Sequence, residues 1–245
     1  MSDAIPVHTL GGPTALLEYG DLRLLTDPTF DQPGSYTSPS GTTLTKLAPP
    51  AAAPADLGRI DVVLLSHDQH ADNLDDAGRA LLADVPLTLT TVSGAQRLGG
   101  TARGLAPWES VTVGAVTVTG VPARHGPVGC EPLTGEVTGF VLTGAGLPTV
   151  YVSGDNAALE LVEQVAERFG PVGTAVLFAG AVRTGLFDGA LLTLDSEQAA
   201  AAAGILGARQ IVPVHFDSWA HFTEGRDALV RAFTAAGLID RVQLP

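Results

Sequence analysis

The chain is expected to be an α/β protein in which two mixed β-sheets are sandwiched between layers of helices. Three observations predict this class. Short β-rich runs bounded by Gly, Pro and Asp recur along the whole length. Helical patterns fall between those runs rather than in one block. Each half of the chain runs strands first and helices after, an order that two packed sheets with outer helices accommodate. At 245 residues the chain is long enough to bury a substantial core, and one domain over residues 1–245 is expected.

Taken in order, strands are read at residues 15–19 and 22–26, with a Gly20-Asp21 turn between them. Residues 33–54 are rich in Pro, Ser, Thr and Ala without a period, so they read as a long surface loop, either a cover over a site or an inert excursion. The apolar run 62–65 is a buried strand, followed by a helix over 72–82 and a strand over 87–91. Residues 111–113 and 116–121 have strong period-2 character around Gly114-Ala115 and read as a hairpin. Further strands are expected over 137–142, 149–152, 175–178 and 210–214, and helices over 157–168, 196–206 and 225–236. Asn156 and the Ser196-Glu197 pair stand where N-terminal caps belong.

Charge narrows the function classes. Twenty-six acidic residues oppose twelve arginines and a single lysine, Lys46, for a formal charge of -13. No cluster of basic residues offers the stripe that recruits phosphate backbones, so nucleic acid is not the expected partner and a small molecule is. The longest apolar stretches, such as 199–206, are too short for a membrane span, and the N-terminal residues lack the basic and apolar regions of a secretory signal. A soluble, cytoplasmic protein without membrane partners is expected. The lone Cys130 excludes an internal disulfide and has no motif around it that would make it a nucleophile.

The chemistry concentrates at strand ends. Ser66-His67-Asp68-Gln69-His70-Ala71-Asp72-Asn73-Leu74-Asp75 follows the apolar run 62–65 directly. A buried strand that stops at such a cluster delivers cation-binding side chains to a sheet edge. His125 follows the strand 116–121 through Pro122-Ala123-Arg124, Asp155 follows 149–152 through Ser153-Gly154, and His215 ends the run 211–214. One histidine in a strand-end loop is ordinary; repetition of that context points to metal binding. Imidazole and carboxylate donors without thiolates suit Zn first, with Mn or Fe also accommodated, as one or two ions.

The succession of a His-rich motif, Pro-Ala-Arg-His, Ser-Gly-Asp and Pro-Val-His resembles the metallo-β-lactamase fold superfamily. Gly11 to Asp31 and Pro213 to Trp219 look like its branch of small cytoplasmic hydrolases that includes the L-ascorbate phosphate lactonases. The resemblance implies a four-layer αββα sandwich, a divalent metal centre and hydrolysis by a metal-activated water. The superfamily signature His-x-His-x-Asp-His is altered here. Read from upstream, His67 matches the first His and Gln69 replaces the second; read from downstream, His70 and Asp72 match, Asn73 replaces the last His, and Asp68 stands at the first. The resemblance therefore implies one site from His67 or Asp68 with His70, His125 and Asp155. The other would take Asp72, Asp155 and His215.

Two roles are open to Asp72: a metal ligand, or a catalytic carboxylate that orients the attacking water. Asp27 either supports a ligating imidazole or simply turns the chain before Pro28. Arg124, Arg183 and His221 are candidate substrate-binding residues, the arginines as forks for an anionic group. The expected function is metal-dependent hydrolysis of a small lactone, ester, amide or phosphodiester. The alternative is a degenerate member of the superfamily that binds a ligand or partner without hydrolysis, since Gln69 and Asn73 stand where imidazoles are expected.

Overall fold

The computed structural model describes residues 4–37 and 43–244. Two six-stranded mixed sheets face each other. The first runs β1 (Val7–Gly11), β2 (Thr14–Tyr19), β3 (Leu22–Thr26), then β6 (Val62–Leu64), β7 (Thr88–Thr90) and β8 (Ala102–Gly104). β1, β2 and β3 pair antiparallel, and from β3 onward the pairing is parallel. The second is ordered β14 (Gln210–Val214), β13 (Thr174–Phe178), β12 (Val150–Val152), β11 (Thr138–Gly144), β10 (Val116–Pro122) and β9 (Ser110–Val113). Its β12, β13 and β14 are parallel and the rest antiparallel. In each sheet, parallel strands carry their C-terminal ends to a common edge, where ligands collect in α/β folds.

Side-chain alternation explains the layering. Leu24, Val62 and Leu64 point inward and join Val118, Phe140, Val152, Val176 and Val212 in a core between the sheets. Their neighbours Leu25, Val63 and Leu65 point outward onto Leu74, just before α1 (Asp76–Leu81), and onto Leu82 and Val85, just after it. On the outer face of the second sheet, Val141, Tyr151, Ala175 and Leu177 meet Val162 and Val165 of α4 (Leu159–Phe169), the alanines of α5 (Ser196–Ile205), and Leu229 and Phe233 of α6 (Arg226–Ala235). Two shorter helices, α2 (Val92–Leu98) and α3 (Glu131–Thr134), follow β7 and β10 along the chain, and the result is the expected αββα arrangement.

The hairpin around Gly114-Ala115 forms as read, with Val116 opposite Val113 and Gly114 at φ +59°. Four expectations are corrected. Within 33–54, β4 (Gly34–Thr37) and β5 (Thr43–Lys46) pair as an antiparallel ribbon, and residues 38–42 lie outside the described residues. The first helix begins at Asp76 rather than 72, because Asp75 is its N-cap and accepts from the Gly78 amide at 2.8 Å. Residues 66–75 are thereby left as loop. Asp195, not Ser196, caps α5, accepting from the Gln198 amide at 2.8 Å. Asn156 stands before α4 without capping it; its Oδ1 takes the Arg124 and Ala158 amides.

Candidate metal centre

Two groups of donor atoms meet where the strand ends of both sheets converge. His67, His70 and His125 form one, and Asp72, Asp155 and His215 the other; within each, one ligand atom per residue lies within 4.8 Å of the rest. The loop after β6 supplies His67, His70 and Asp72. His125 follows β10, Asp155 follows β12 and His215 follows β14. The Thr138 amide of β11 donates to the Ser66 carbonyl at 3.1 Å and ties the loop to the second sheet. Gly154, at φ +58°, makes this approach possible: a Cβ there would come within 2.6 Å of the Thr138 carbonyl oxygen and 2.8 Å of Ser66 Cβ.

The motif's register is visible in the geometry. His67 Nε2 and His70 Nδ1 are 2.9 Å apart, and both rings face His125, with centroids 5.4 and 5.3 Å from it. The chain thus spans two residues between the histidines and still brings both to one point. Asp68, expected as an alternative ligand, is corrected: its carboxylate is gripped by Arg97, whose Nε donates to Oδ2 at 2.9 Å. Gln69 also points elsewhere, with its amide over Gly135. Asn73 Nδ2 donates to Asp27 Oδ2 at 2.9 Å, so its side chain serves the interior behind the loop.

Asp27 is the hub of that interior. It accepts from the Ser66 amide at 2.6 Å, from Ser66 Oγ at 2.5 Å and from Asn73. Ser66 Oγ lies 3.0 Å from His67 Nδ1, leaving Nε2 to face the cluster. The carboxylate therefore supports the imidazole through a serine rather than directly. Burial pushes the Asp27 carboxyl up to about 7 despite these hydrogen bonds. His125 is fixed likewise, with Nδ1 2.8 Å from the Leu192 carbonyl and Nε2 aimed inward, 3.6 Å from Asp155 Oδ2.

Electrostatics divides the groups. Burial lowers the pKa of His67 and His70, and neighbouring imidazoles lower both further, so their lone pairs are open to a cation at neutral pH. In the second group burial opposes ionisation of every member, yet mutual attraction wins. His215 rises to about 10 between Asp155 and Asp72, and both carboxyls are held below their usual range by the imidazoles around them. His215 takes φ +57°, a left-handed conformation rare for a side-chain-bearing residue, while its amide donates to the Gly12 carbonyl at 2.7 Å.

The donor set fits divalent cations. Both oxygens of Asp155 and both ring nitrogens of His215 are buried without a hydrogen bond. His215 Nδ1 is 3.0 Å from Asp155 Oδ1, but the directions are wrong for a hydrogen bond, leaving charge attraction alone. Buried polar atoms in this condition cost stability unless something pairs with them. The Asp155 carboxylate divides between the groups, Oδ2 toward His125 and Oδ1 toward His215.

A cavity of about 410 Å³ opens onto both groups through His70, Asp72, His125 and His221. Leu44, Leu133, Leu186 and Leu192 make much of its remaining wall, and Leu133 and Leu186 are exposed at its edge. Arg183 lines it too, but its Nη1 donates to the Gly189 carbonyl at 2.7 Å. Arg124 does not line it: its guanidinium pairs with Glu160 and donates to the Gly126 carbonyl at 3.2 Å, and it lines a second hollow that shares His125. His221 does line it, 2.9 Å from Asp72 Oδ2. Ser66 is a supporting residue that no motif in the sequence marks; its position one residue before His67, with Asp27 at a neighbouring strand end, is its local signal.

A two-sheet sandwich with such a donor set defines a metallohydrolase of the β-lactamase superfamily. The family model described as a β-lactamase superfamily domain matches residues 22–216. Within that superfamily the chain belongs to the UPF0173 metal-dependent hydrolases. A member from Methanosphaerula palustris is 31% identical over 179 residues, covering 70% of this chain and 75% of its own. Among solved structures, a possible metal-dependent hydrolase from Veillonella parvula shares the fold with a TM-score of 0.84 at 18% identity, over 99% of this chain and 97% of that one. An isothiocyanate hydrolase from Delia radicum gut bacteria shares it with a TM-score of 0.82 at 21% identity, over 98% and 95%.

Proposed function

We propose that this enzyme hydrolyses a small, partly apolar molecule, a lactone, ester, amide or phosphodiester, at a centre of two divalent cations, zinc in the first instance. The observation that carries the reading is the set of buried, partnerless donor atoms of Asp155 and His215, grouped with Asp72 of the cavity wall and beside its His125. His67, His70 and His125 would hold one cation, Asp72 and His215 the other, with Asp155 between them. Bound cations supply Lewis acidity and an activated water near neutral pH.

The protein's own residues do the rest. Asp72 is read as a ligand rather than a free base, because its Oδ2 is already flanked by His215 Nε2 at 3.3 Å and His221 Nε2 at 2.9 Å. Leu44, Leu133, Leu186 and Leu192 favour an apolar substituent and keep the reacting bond from bulk water. The likeness in sequence to ascorbate phosphate lactonases makes a lactone the first candidate for the bond. The strongly acidic chain argues against nucleic acid and supports a small molecule as the partner, in a cytoplasmic role.

Elemental analysis of protein purified without chelator, beside a screen of lactones, esters, amides and phosphodiesters, tests this. Two equivalents with turnover that His125→Ala abolishes is the expected result. Two equivalents with no turnover of any class would favour a ligand-binding protein, and none after zinc is added back would sink the metal centre.

A further inference from the structure

The second donor group has an unusual gap. Asn73 follows Asp72, but its amide is committed to Asp27 behind the loop, and its Oδ1 is buried without a partner. It offers nothing to the Asp72 side. Among the described residues the tight group around Asp72 therefore holds a single imidazole, His215, against two carboxylates.

A different imidazole stands beside it. His221 Nε2 is 2.9 Å from Asp72 Oδ2, and His215 Nε2 is 3.3 Å from the same oxygen. Zn–N and Zn–O bonds of roughly 2.0–2.1 Å place neighbouring donors of a tetrahedral ion roughly 3.3 Å apart. The His215 spacing matches that value, while the His221 spacing is that of a hydrogen bond; the two imidazoles flank the same carboxylate oxygen, which puts His221 next to the position a cation held by Asp72 and His215 would take. We propose that His221 is a ligand of the second cation, supplying from the segment after β14 the imidazole that the motif lacks at Asn73. The inference rests on the two-cation reading above.

The backbone around His221 is pinned on both sides, as a ligand's must be. The Leu47 amide donates to the Ser218 carbonyl at 2.7 Å, and the Ala220 amide to the Thr45 carbonyl at 2.9 Å, stitching the segment to β5. Two residues on from His221, the Thr223 amide donates to the Gly180 carbonyl at 3.0 Å. Phe222 packs against the rings of both His215 and His221, with centroids 4.6 Å from each. His221 Nδ1 is buried with no hydrogen bond, so the ring's polar commitment lies wholly on the Asp72 side.

The test compares zinc and cobalt(II) binding in the whole protein, its His221→Gln and His221→Ala variants, with circular dichroism checking that each is folded. Glutamine keeps an N–H for Asp72 but is a poor zinc ligand, so it separates ligation from hydrogen bonding; it also serves if alanine does not fold. The expected result is two equivalents in the parent, with affinity for the second falling by more than about 100-fold in both variants. That exceeds the roughly 10–100-fold commanded by a residue that only orients a ligand. The cobalt spectrum should change, and free imidazole should restore the second equivalent to His221→Ala. A smaller loss with an unchanged cobalt spectrum would overturn the inference while leaving the two-cation centre intact. Fewer than two equivalents in the parent would instead remove the two-cation reading itself.

Discussion

At the scale of single residues, the site is governed by which groups each side chain is already committed to. Ser66 relays Asp27 to His67, so removing its hydroxyl frees the His67 ring without removing the donor. Ser66→Ala should weaken metal binding by roughly 10–100-fold, read by competition with a chromogenic chelator; unchanged affinity would show that packing alone holds the ring. Asp68→Asn makes the opposite point. Its carboxylate belongs to Arg97, so metal content should not move, and loss of an equivalent would restore Asp68 to the ligand set. The sequence made every member of both donor groups legible as a strand-end residue. It could not choose between the two registers, because the extra residue between His67 and His70 is absorbed by loop curvature, which has no local signature.

At the scale of elements, the ribbon of β4 and β5 shows what composition conceals. Its segment looked structureless because Ser, Thr and Pro dominate it, and short two-stranded ribbons draw their stability from contacts outside themselves. The contact that matters is Lys46, the chain's sole lysine, whose Nζ donates to Asp75 Oδ2 at 3.0 Å with both side chains almost fully buried. Asp75 also takes the Phe30 and Asp31 amides and caps α1, so one carboxylate joins the ribbon, the chain after β3 and the helix. Strands with alternating or continuous apolar residues, by contrast, were readable almost to the residue, β14 and β3 among them. Because Leu44 of β5 forms part of the cavity wall, the ion pair also positions the pocket. Lys46→Ala leaves a buried carboxylate short of its cation, and a loss of about 3–5 kcal/mol is expected from urea unfolding. A loss below about 1 kcal/mol would show that the three amides satisfy Asp75 alone.

At the scale of the whole molecule, the same burial that shapes the metal centre governs how the protein meets alkali. The chain has three tyrosines, and burial is the first cause that raises each phenol: Tyr19 to about 12, with Tyr36 and Tyr151 also raised. Tyr19 faces the core between the sheets, Tyr151 lies under the outer helices, and Tyr36 on the ribbon donates to Asp31 Oδ2 at 2.9 Å. The sign follows from proton counting. An unfolded chain releases phenolic protons near pH 10, whereas the folded chain keeps them to higher pH. Above about pH 10 the unfolded state therefore binds fewer protons, and stability falls as pH rises; below it this contribution is fully present. Absorbance at 295 nm should stay flat through pH 10 in the folded protein, then rise for all three tyrosines together as circular dichroism reports unfolding. A phenolate signal near pH 10 from a chain still folded would mean that one of these rings is wetter than its packing implies, and Tyr36→Phe would show whether the ribbon is the source.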